Sequence, residues 1–269
     1  MMQQSLPLVS IITVCLNTEK TIRRAIESVI AQTYGNIEYI IVDGGSTDRT
    51  LEIIGEYRSH VSLLVSEPDQ GISDAFNKGI ARSSGEYIQL LNADDYMPPE
   101  KIALSVGHLM RHREAAFVFG DMLVIDGSGT TVYRLCGDAD YASSITGLVP
   151  RVNHPTFLVR RSVYEKHGMF DPVWKIAMDY EWLLRIHAGG ERGIYRPDVI
   201  VYFQEGGISR DWFKSMKEAR AITVLHGITP AAVYARFCIL TIRRAVRIFL
   251  EAFLPRSLVM HFRAGKTSR

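Results

Sequence analysis

Cysteine is scarce in this chain, which has 269 residues and only three cysteines, Cys15, Cys136 and Cys238. The three are far apart in sequence, and no CxxC pair occurs. An odd number of isolated cysteines argues against a disulfide framework and against a cysteine-based metal site. It favours a reducing compartment.

The short motifs of several enzyme classes are missing as well. No GxGxxG opens a helix, which disfavours a dinucleotide site, and neither HExxH nor GxSxG occurs. The segment Gly265-Lys266-Thr267 lacks the earlier glycine and the preceding strand of a P-loop. The first seven residues lack a basic n-region, so we expect no secretory signal.

The composition is that of a globular protein, with 47% hydrophobic and 22% charged residues. The length allows one large α/β domain with a sizeable core. Charge is distributed unevenly, because residues 236–269 carry eight Lys and Arg residues against Glu251 alone, although the whole chain has a net charge of only +2. We therefore expect an acidic body and a basic tail that contacts an anionic partner.

The first hundred residues alternate strand-like and helix-like patterns with short connections, which predicts a parallel sheet with right-handed crossovers. The predicted strands there are 8–14, 37–42, 61–66 and 87–91, and the predicted helices are 21–32, 47–57 and 72–81.

After residue 101 the pattern changes to a hairpin with a Gly-rich turn, followed by mixed elements. The predicted strands are 115–125, 130–135, 156–159 and 194–203, and the predicted helices are 178–187 and 212–225. We divide the chain into a domain over 1–227, with a donor half 1–110 and an acceptor half 111–227, and a tail 228–269.

Two predicted strands lead directly into acidic residues. One ends in the adjacent carboxylates Asp94 and Asp95, and another ends in Asp43 followed by two glycines. Because the carboxyl ends of parallel strands meet at one edge of a sheet, we expect a single site there. Adjacent carboxylates repel each other, and a bound cation relieves the repulsion, which favours Mg²⁺ or Mn²⁺ shared with a phosphorylated ligand.

Asp43 has two interpretations. It could be a turn or helix-capping residue, a common role for aspartate. It could also accept a hydrogen bond from the N–H of a nucleotide base, while the following glycines let a ligand approach the backbone. Asp74 and Asn77 lie about one turn apart on one side of a predicted helix, which a plain surface helix explains less well.

Asp179 begins a predicted helix, where its charge could simply complement the helix N-terminus, an effect of about 0.3–1 kcal/mol. If the fold brings it to the cleft, it could act as a general base. His154 is an isolated histidine, better explained as structural or substrate-orienting than as a metal ligand. Gly206 and Gly207 indicate a flexible active-site loop.

Taken in order, these motifs resemble the family 2 glycosyltransferases of the GT-A fold, particularly bacterial exopolysaccharide, capsule and colanic-acid-type enzymes. The resemblance is specific over about the first 100 residues and looser beyond them. The matching residues are Val9-Ser10-Ile11-Ile12-Thr13-Val14 with Asn17, the segment 42–48, Asp69-Gln70-Gly71, Asp74 with Asn77 and Gly79, Asn92-Ala93-Asp94-Asp95, His154-Pro155, Arg160-Arg161, Phe170-Asp171, Asp179 and Gly206-Gly207-Ile208-Ser209.

The resemblance implies an α/β GT-A fold, Rossmann-like with a mostly parallel sheet, and a nucleotide-sugar donor. It places Thr13, Asn17 and Asp43 at the nucleotide base and ribose. Asp74 and Asn77 would also lie on the donor side.

The same resemblance implies that Asp94 faces the ribose or the sugar phosphate and that Asp95 binds Mn²⁺ or Mg²⁺ on the diphosphate. Asp179 would be the base that deprotonates an acceptor hydroxyl, with inversion at the anomeric carbon. His154, Gly206 and Gly207 would lie on the acceptor side. Met178 stands where the family often has an acidic residue.

The segment 231–254 combines a wide apolar arc with a narrow stripe of arginines at helical spacing. The arginines make a membrane-spanning helix costly. The pattern is typical of a helix in the membrane interface, although a helix packed on the domain with solvated arginines also fits it. We therefore expect an enzyme at the cytoplasmic face of the cell membrane, acting on a lipid-linked glycan in cell-surface polysaccharide synthesis.

Two other functions remain open at this point. A phosphotransfer enzyme of the haloacid-dehalogenase type needs a second Asp two residues after its nucleophile, and Gly45 occupies that place after Asp43. A non-catalytic nucleotide-sugar-binding or scaffold protein would be expected to have lost some of the acidic residues.

Overall fold

The computed structural model describes residues 6–148, 150–204 and 211–253. Its first half alternates strands and helices, as the sequence predicts. The elements are β1 (Val9–Cys15), α1 (Ile22–Ile30), β2 (Ile37–Asp43), α2 (Thr50–Glu56), β3 (Leu63–Ser66), α3 (Ile72–Arg82), β4 (Tyr87–Asn92) and α4 (Lys101–Arg111).

The second half begins with the predicted hairpin and continues with mixed elements. They are β5 (Phe117–Ile125), β6 (Thr131–Leu135), α5 (Tyr141–Ser144), β7 (Leu158–Arg160), α6 (Arg161–His167), α7 (Met178–Ala188), β8 (Gly193–Gln204), α8 (Trp212–Leu225) and α9 (Pro230–Phe253).

One sheet runs in the order β3-β2-β1-β4-β7-β5-β6, with β8 also paired to β5. The strands β1 to β4 are mutually parallel, as are β5 and β8. The chain winds outward from β1 to β3 and then returns to place β4 on the other side of β1. Such a reversal leaves a crevice at the carboxyl ends of the strands. The predicted α/β fold with a mostly parallel sheet is confirmed.

The strand β7 is antiparallel to both of its neighbours, β4 and β5. Its register pairs Leu158 with Gln89 of β4, so the residues before Leu158 run alongside the carboxyl end of β4. The Gln89 side chain donates to the Pro155 carbonyl at 3.0 Å and fixes this approach. The reversal therefore carries acceptor-half residues to the edge of the sheet where the acidic loops lie.

Both faces of the sheet are covered, which explains why β1 is buried along its whole length. Val9 and Ile11 belong to a core cluster with α1 and α4, whereas Ile12 and Val14 face a cluster that contains α3, α7 and α8. Burial on both sides makes the sheet a rigid platform for the loops at its edge.

Three helices, α4, α6 and the four-residue α5, are absent from the sequence-based prediction. In α4 the buried residues Ile102, Val106 and Leu109 follow helical spacing. The short α6 directly follows β7 and has only two buried residues, Val163 and Tyr164, so its apolar pattern is too brief to recognise.

The first turns of α9 pack against the body of the protein rather than standing apart from it. Val233 is buried, and Phe237 stacks on Trp212 of α8 with ring centroids 5.7 Å apart. Ile239, Ile242 and Val246 lie on the opposite side and are exposed. Within the described ranges, no helix combines the length and the apolar content that crossing a membrane requires. The basic tail after residue 253 lies outside the described residues.

Candidate active site

Asp43 ends β2 and lies fully buried beneath the loop that follows it. Its carboxylate accepts hydrogen bonds from the backbone N–H groups of Gly45 and Ser46 at 3.1–3.2 Å and from the Ser66 hydroxyl at 2.8 Å. These bonds favour the turn interpretation of this residue. Its predicted contact with the nucleotide base stays a prediction.

Asn17 connects the loop after β1 to the loop after β2. Its backbone N–H donates to Ser46 Oγ at 2.8 Å, and its side-chain Oδ1 accepts from Thr47 N–H at 2.9 Å. Its φ of +52° is a left-handed conformation that asparagine tolerates better than most residues. Thr13 lies deeper, fully buried, and its hydroxyl accepts from Tyr39 Oη at 3.1 Å. Asn17 is therefore exposed at the edge of the sheet, whereas Thr13 is buried below it, and their predicted contacts with a nucleotide stay predictions.

The loop between β3 and α3 lies against the loop after β2. A Cβ atom at Gly44 would overlap the Asp69 carboxylate, so any other residue there would displace that side chain. Asp69 in turn accepts from Gly71 N–H at 2.8 Å. Asp74 accepts from Gln70 N–H at 3.0 Å and pairs with Lys78, and the Gln70 bond is the largest of the effects that lower the pKa of Asp74. Asp74 thus stabilises the start of α3 beside the crevice.

Asn77 uses its side-chain amide to hold the acceptor half. Its Nδ2 donates to the Phe170 carbonyl at 2.8 Å, and its Oδ1 accepts from Phe170 N–H at 3.0 Å. Its predicted role in donor binding stays a prediction, with both polar atoms already engaged in this structure.

Asp94 and Asp95 follow β4 but differ in accessibility. Asp95 is fully buried, and its carboxylate accepts from Gln204 N–H at 3.0 Å and from Asn92 Nδ2 at 3.1 Å. Burial, with repulsion from Asp94 second, raises the pKa of Asp95 to about 8. Burial also raises the pKa of Asp94, which is partly exposed. The pair therefore places one carboxylate at the surface of the crevice and one directly behind it.

Arg24 of α1 binds the acidic loop from the side. Its Nη2 donates to the Asp94 carbonyl at 3.1 Å and to Gln204 Oε1 at 2.7 Å, and its guanidinium lies 4.6 Å from the centre of the Tyr96 ring. Tyr96 stacks on Tyr202 with ring centroids 4.4 Å apart. The sequence analysis missed this role, because no local pattern links α1 to residues 70 and 180 positions further along the chain.

Oxygen ligands suit a divalent cation here, although no group of three or more His, Cys, Asp or Glu side chains with metal-binding geometry occurs within the described ranges. The buried Asn92 Oδ1 lacks a hydrogen-bond partner in that same part of the chain and lies beside the Asp95 carboxylate. An amide oxygen and one exposed carboxylate fit Mg²⁺ or Mn²⁺, which commonly takes one or two carboxylates plus substrate phosphates. The residues present therefore fit the predicted metal.

His154 and Asp179 line one cavity of about 200 Å³ in the acceptor half. His154 arrives through the segment before β7, and Asp179 lies in the first turn of α7. Burial lowers the pKa of His154, and the nearby Asp179 carboxylate partly offsets that effect. The remaining walls are mostly apolar and include Phe157, Leu183 and Met216. The structure thus brings together two residues that the sequence predicted separately. Gly206 and Gly207 lie outside the described residues.

A comparison with known families decides the identity of the chain. The profile described as Glycosyl transferase family 2 matches residues 10–168. The chain belongs to glycosyl transferase family 2. The match contains the loops of Asn17, Asp43 and Asp94 and ends before Asp179.

Curated relatives agree with the family. The chain is 24% identical over 260 residues to a PGL/p-HBAD biosynthesis glycosyltransferase of Mycobacterium bovis, covering 94% of this chain and 96% of that protein. It is 33% identical over 182 residues to an uncharacterized glycosyltransferase of Rickettsia typhi, covering 65% of this chain and 57% of the relative. As a member of the family, the protein is a glycosyltransferase.

Solved structures show the same fold. The mannosyltransferase PcManGT from Pyrobaculum calidifontis, in complex with GDP-Man and Mn²⁺, aligns with a TM-score of 0.65 at 18% identity, over 98% of this chain and 81% of that one. A fragment of S. aureus TarS in complex with UDP-GlcNAc aligns with a TM-score of 0.62 at 18% identity, over 84% and 69%. The chain spans 42% of a longer TarS chain. These alignments confirm the GT-A fold for this family 2 glycosyltransferase.

Proposed function

We propose that this glycosyltransferase moves a sugar from a nucleotide diphosphate donor to an acceptor hydroxyl, with inversion at the anomeric carbon. One observation carries the proposal: the partly exposed Asp94 follows β4, and the antiparallel β7 brings the cavity of His154 and Asp179 to the same edge of the sheet. The complexes of related folds with GDP-Man and UDP-GlcNAc support a nucleotide-sugar donor.

The donor would lie across the switch point between β1 and β4. Asn17 would contact the nucleotide from the loop after β1, beside the loop of Gly45 and Ser46 that Asp43 holds. Asp74 would contribute to donor binding indirectly, by holding the start of α3 in place. Arg24 would hold the acidic loop in place from the side.

The resemblance implies Asp95 as the ligand of the metal ion, but the accessibility of the two side chains favours Asp94. Asp94 is the exposed member of the pair, so we assign it the contact with Mn²⁺ or Mg²⁺, with Asn92 Oδ1 as a second oxygen ligand. Asp95, engaged by Gln204 and Asn92, would fix the loop from behind rather than reach the ion itself. When bound, the cation stabilises negative charge on the leaving diphosphate as a Lewis acid.

The acceptor hydroxyl would enter the cavity beside Asp179. The Asp179 carboxylate takes the hydroxyl proton as the acceptor oxygen forms its bond to the anomeric carbon, and the bond from that carbon to the diphosphate breaks. His154, whose pKa is lowered by burial, is neutral at neutral pH and would orient the acceptor by hydrogen bonding. The apolar walls shield the reaction from water.

The acceptor would be a lipid-linked glycan at the cytoplasmic face of the cell membrane, as in the synthesis of exopolysaccharide. Ile239, Ile242 and Val246 form an exposed apolar face on α9, and the exposed Arg243 lies near its border. An apolar face with flanking arginines suits the interface of an anionic membrane. Peripheral attachment would keep the enzyme where a lipid-linked acceptor lies.

Calorimetric titration tests the donor site. UDP, GDP and dTDP, and their common sugar conjugates, are titrated into the wild type, Asp94→Ala and the control Glu165→Ala, with and without Mn²⁺. Glu165 is an exposed carboxylate on α6. We expect metal-dependent binding of one nucleotide that only Asp94→Ala abolishes. Failure of folded wild type to bind any of these nucleotides would contradict the proposed donor site.

A further inference from the structure

The helix that carries Asp179 begins without a capping side chain of its own. The residue at the N-cap position of α7 is Ala177, which has no polar side-chain atom. The peptide N–H groups at the start of a helix need acceptors, which a preceding Ser, Thr, Asp or Asn usually provides. The Asp179 carboxylate accepts the Tyr180 N–H at 2.8 Å, whereas the N–H groups of the residues that lead into the helix need an acceptor from elsewhere in the fold.

Glu218 of α8 supplies that acceptor. Its carboxylate accepts from the backbone N–H groups of Lys175 at 3.2 Å, Ile176 at 2.9 Å and Ala177 at 2.9 Å. Hydrogen bonds from a charged acceptor are stronger than neutral ones, and negative charge is favourable at a helix N-terminus. One side chain thus fixes the three residues that lead into the turn of Asp179.

The opposite side of the same segment is held by α3. Ser73 Oγ donates to the Trp174 carbonyl at 3.1 Å, and Lys175 Nζ donates to the Gln70 carbonyl at 3.0 Å. The segment is therefore held between the donor half and α8. Among these contacts only Glu218 binds backbone N–H groups, those of the three residues directly before α7.

The position of Glu218 in α8 links it to the acceptor cavity. Ser215, Met216 and Ala219 of the same helix line that cavity together with Asp179. A helix that forms one wall therefore also determines where the carboxylate projects from the neighbouring wall.

We propose that Glu218 is a positioning residue for Asp179, fixing the segment 175–177 and so the place of the Asp179 carboxylate in the acceptor cavity. This inference rests on the proposed function, in which Asp179 is the base. Glu218 acts through the backbone of α7 and does not touch the reacting atoms. A displacement of about 1 Å can lower a rate on the order of 100-fold.

The first test needs no substrate. Hydrogen exchange of the amides of residues 175–177 and NMR titration of His154, assigned with His154→Gln, are measured in the full-length wild type, Glu218→Ala, Glu218→Gln and the control Glu165→Gln. In Glu218→Ala we expect the three amides to exchange about 10- to 100-fold faster, since each tenfold corresponds to the loss of about 1.4 kcal/mol. We also expect the pKa of His154 to fall, because the Asp179 carboxylate moves away. Glu218→Gln should show smaller changes because its amide oxygen still accepts.

The second test separates this inference from the base assignment. Release of nucleoside diphosphate from UDP-GlcNAc and GDP-mannose is followed with Mn²⁺, with octyl glucoside or water as acceptor. We expect kcat to fall about 10- to 100-fold in Glu218→Ala, with the donor Kd within about twofold of wild type. Unchanged amide exchange and an unchanged His154 titration in Glu218→Ala would overturn the positioning role. A fully active Asp179→Asn would instead overturn the base assignment, and with it the reason for positioning Asp179.

Discussion

The Asn77 side chain and the Phe170 backbone form a reciprocal pair of hydrogen bonds at 2.8 and 3.0 Å. The pair joins α3 of the donor half to the segment before α7 in the acceptor half. Both polar atoms of the Asn77 amide, Nδ2 and Oδ1, are engaged in this pair. In the structure this residue acts at the junction of the two halves, and its role in donor binding stays a prediction.

Asn77→Ala is therefore expected to lower the free energy of unfolding. Loss of two hydrogen bonds, each worth about 0.5–1.5 kcal/mol, with Phe170 left unpaired, should cost on the order of 2–3 kcal/mol. Urea denaturation measures the change. The Kd of the nucleotide donor should stay close to that of wild type in calorimetry. A large loss of donor affinity at unchanged stability would favour the donor-binding role predicted from the sequence.

Arg24→Ala should weaken metal-dependent nucleotide binding by about tenfold, because the loop of Asp94 loses a hydrogen bond and the stacking of the guanidinium on Tyr96. The neighbouring Arg23 is a matched control. It lies on the same helix and forms a pair with Glu56 of α2 at 2.7 Å, exposed to solvent and therefore weak. The affinity for the nucleotide is measured by titration with Mn²⁺ into Arg24→Ala and Arg23→Ala. An equal loss of affinity in the two variants would refute a specific role for Arg24.

The stability of the metal-free protein should depend on pH through Asp95. The folded-state pKa of about 8 lies above the ordinary aspartate pKa of 3.8, so the folded state favours the protonated acid. This contribution is complete below about pH 4 and is lost as the pH rises toward 8. Urea denaturation in EDTA between pH 5 and pH 8.5 should show that loss in wild type and a flatter dependence in Asp95→Asn. If the free energy of unfolding changes with pH equally in the two proteins, the carboxyl of Asp95 is not protonated and buried as described.

Lys101 is 1% exposed, and its ammonium group is hydrogen-bonded to Gln89 Oε1. Burial lowers its pKa well below the ordinary value of 10.5, so the folded state disfavours the charge. Lys101→Met should raise the free energy of unfolding at pH 6, with a gain that shrinks as the pH rises toward 10. Lys20→Met, at an exposed position, is the control and should change little. Destabilisation of Lys101→Met at pH 6 would show that the bond to Gln89 outweighs the burial of the amine.

Ile242→Asp should reduce binding of the full-length protein to vesicles that contain an anionic phospholipid by about tenfold. The substitution places a charge in the exposed apolar face of α9, where it opposes insertion and attraction to anionic lipid. Flotation or sedimentation with vesicles measures the binding. Comparison with zwitterionic vesicles shows how much of the binding depends on anionic lipid. Ala235→Ser, a mild change at an exposed position of the same helix, serves as control. Equal binding of wild type and Ile242→Asp would remove α9 from the membrane contact.

The strands and helices of the donor half could be predicted because the residue pattern that specifies each of them lies within a short stretch of sequence. Each βα unit shows its own apolar period, and Asp43 and Asp94 directly follow strands whose burial could be read from the sequence. The approach of His154 to Asp179 was not predictable in this way. It depends on the reversed direction of β7, a strand of three residues.

Glu218 and Arg24 were missed for a related reason. Their bonds join residues that are 41 or more positions apart, and an isolated charged residue on a helix looks the same whether it is solvated or engaged. The difference between Asp94 and Asp95 in accessibility likewise follows from the contact with Gln204 at the end of β8.

The short reversed strand also bears on how such an enzyme can change during evolution. The donor half would bind its nucleotide with loops from consecutive βα units, whereas the strands of the acceptor half join those of the donor half through the pairing of β7 with β4. Bonds such as that between Asn77 and Phe170 hold the acceptor half as well. Substitutions in the cavity can thus alter the acceptor without disturbing the donor loops. Descendants of one ancestral enzyme can in this way come to extend different glycans while using the same activated sugar.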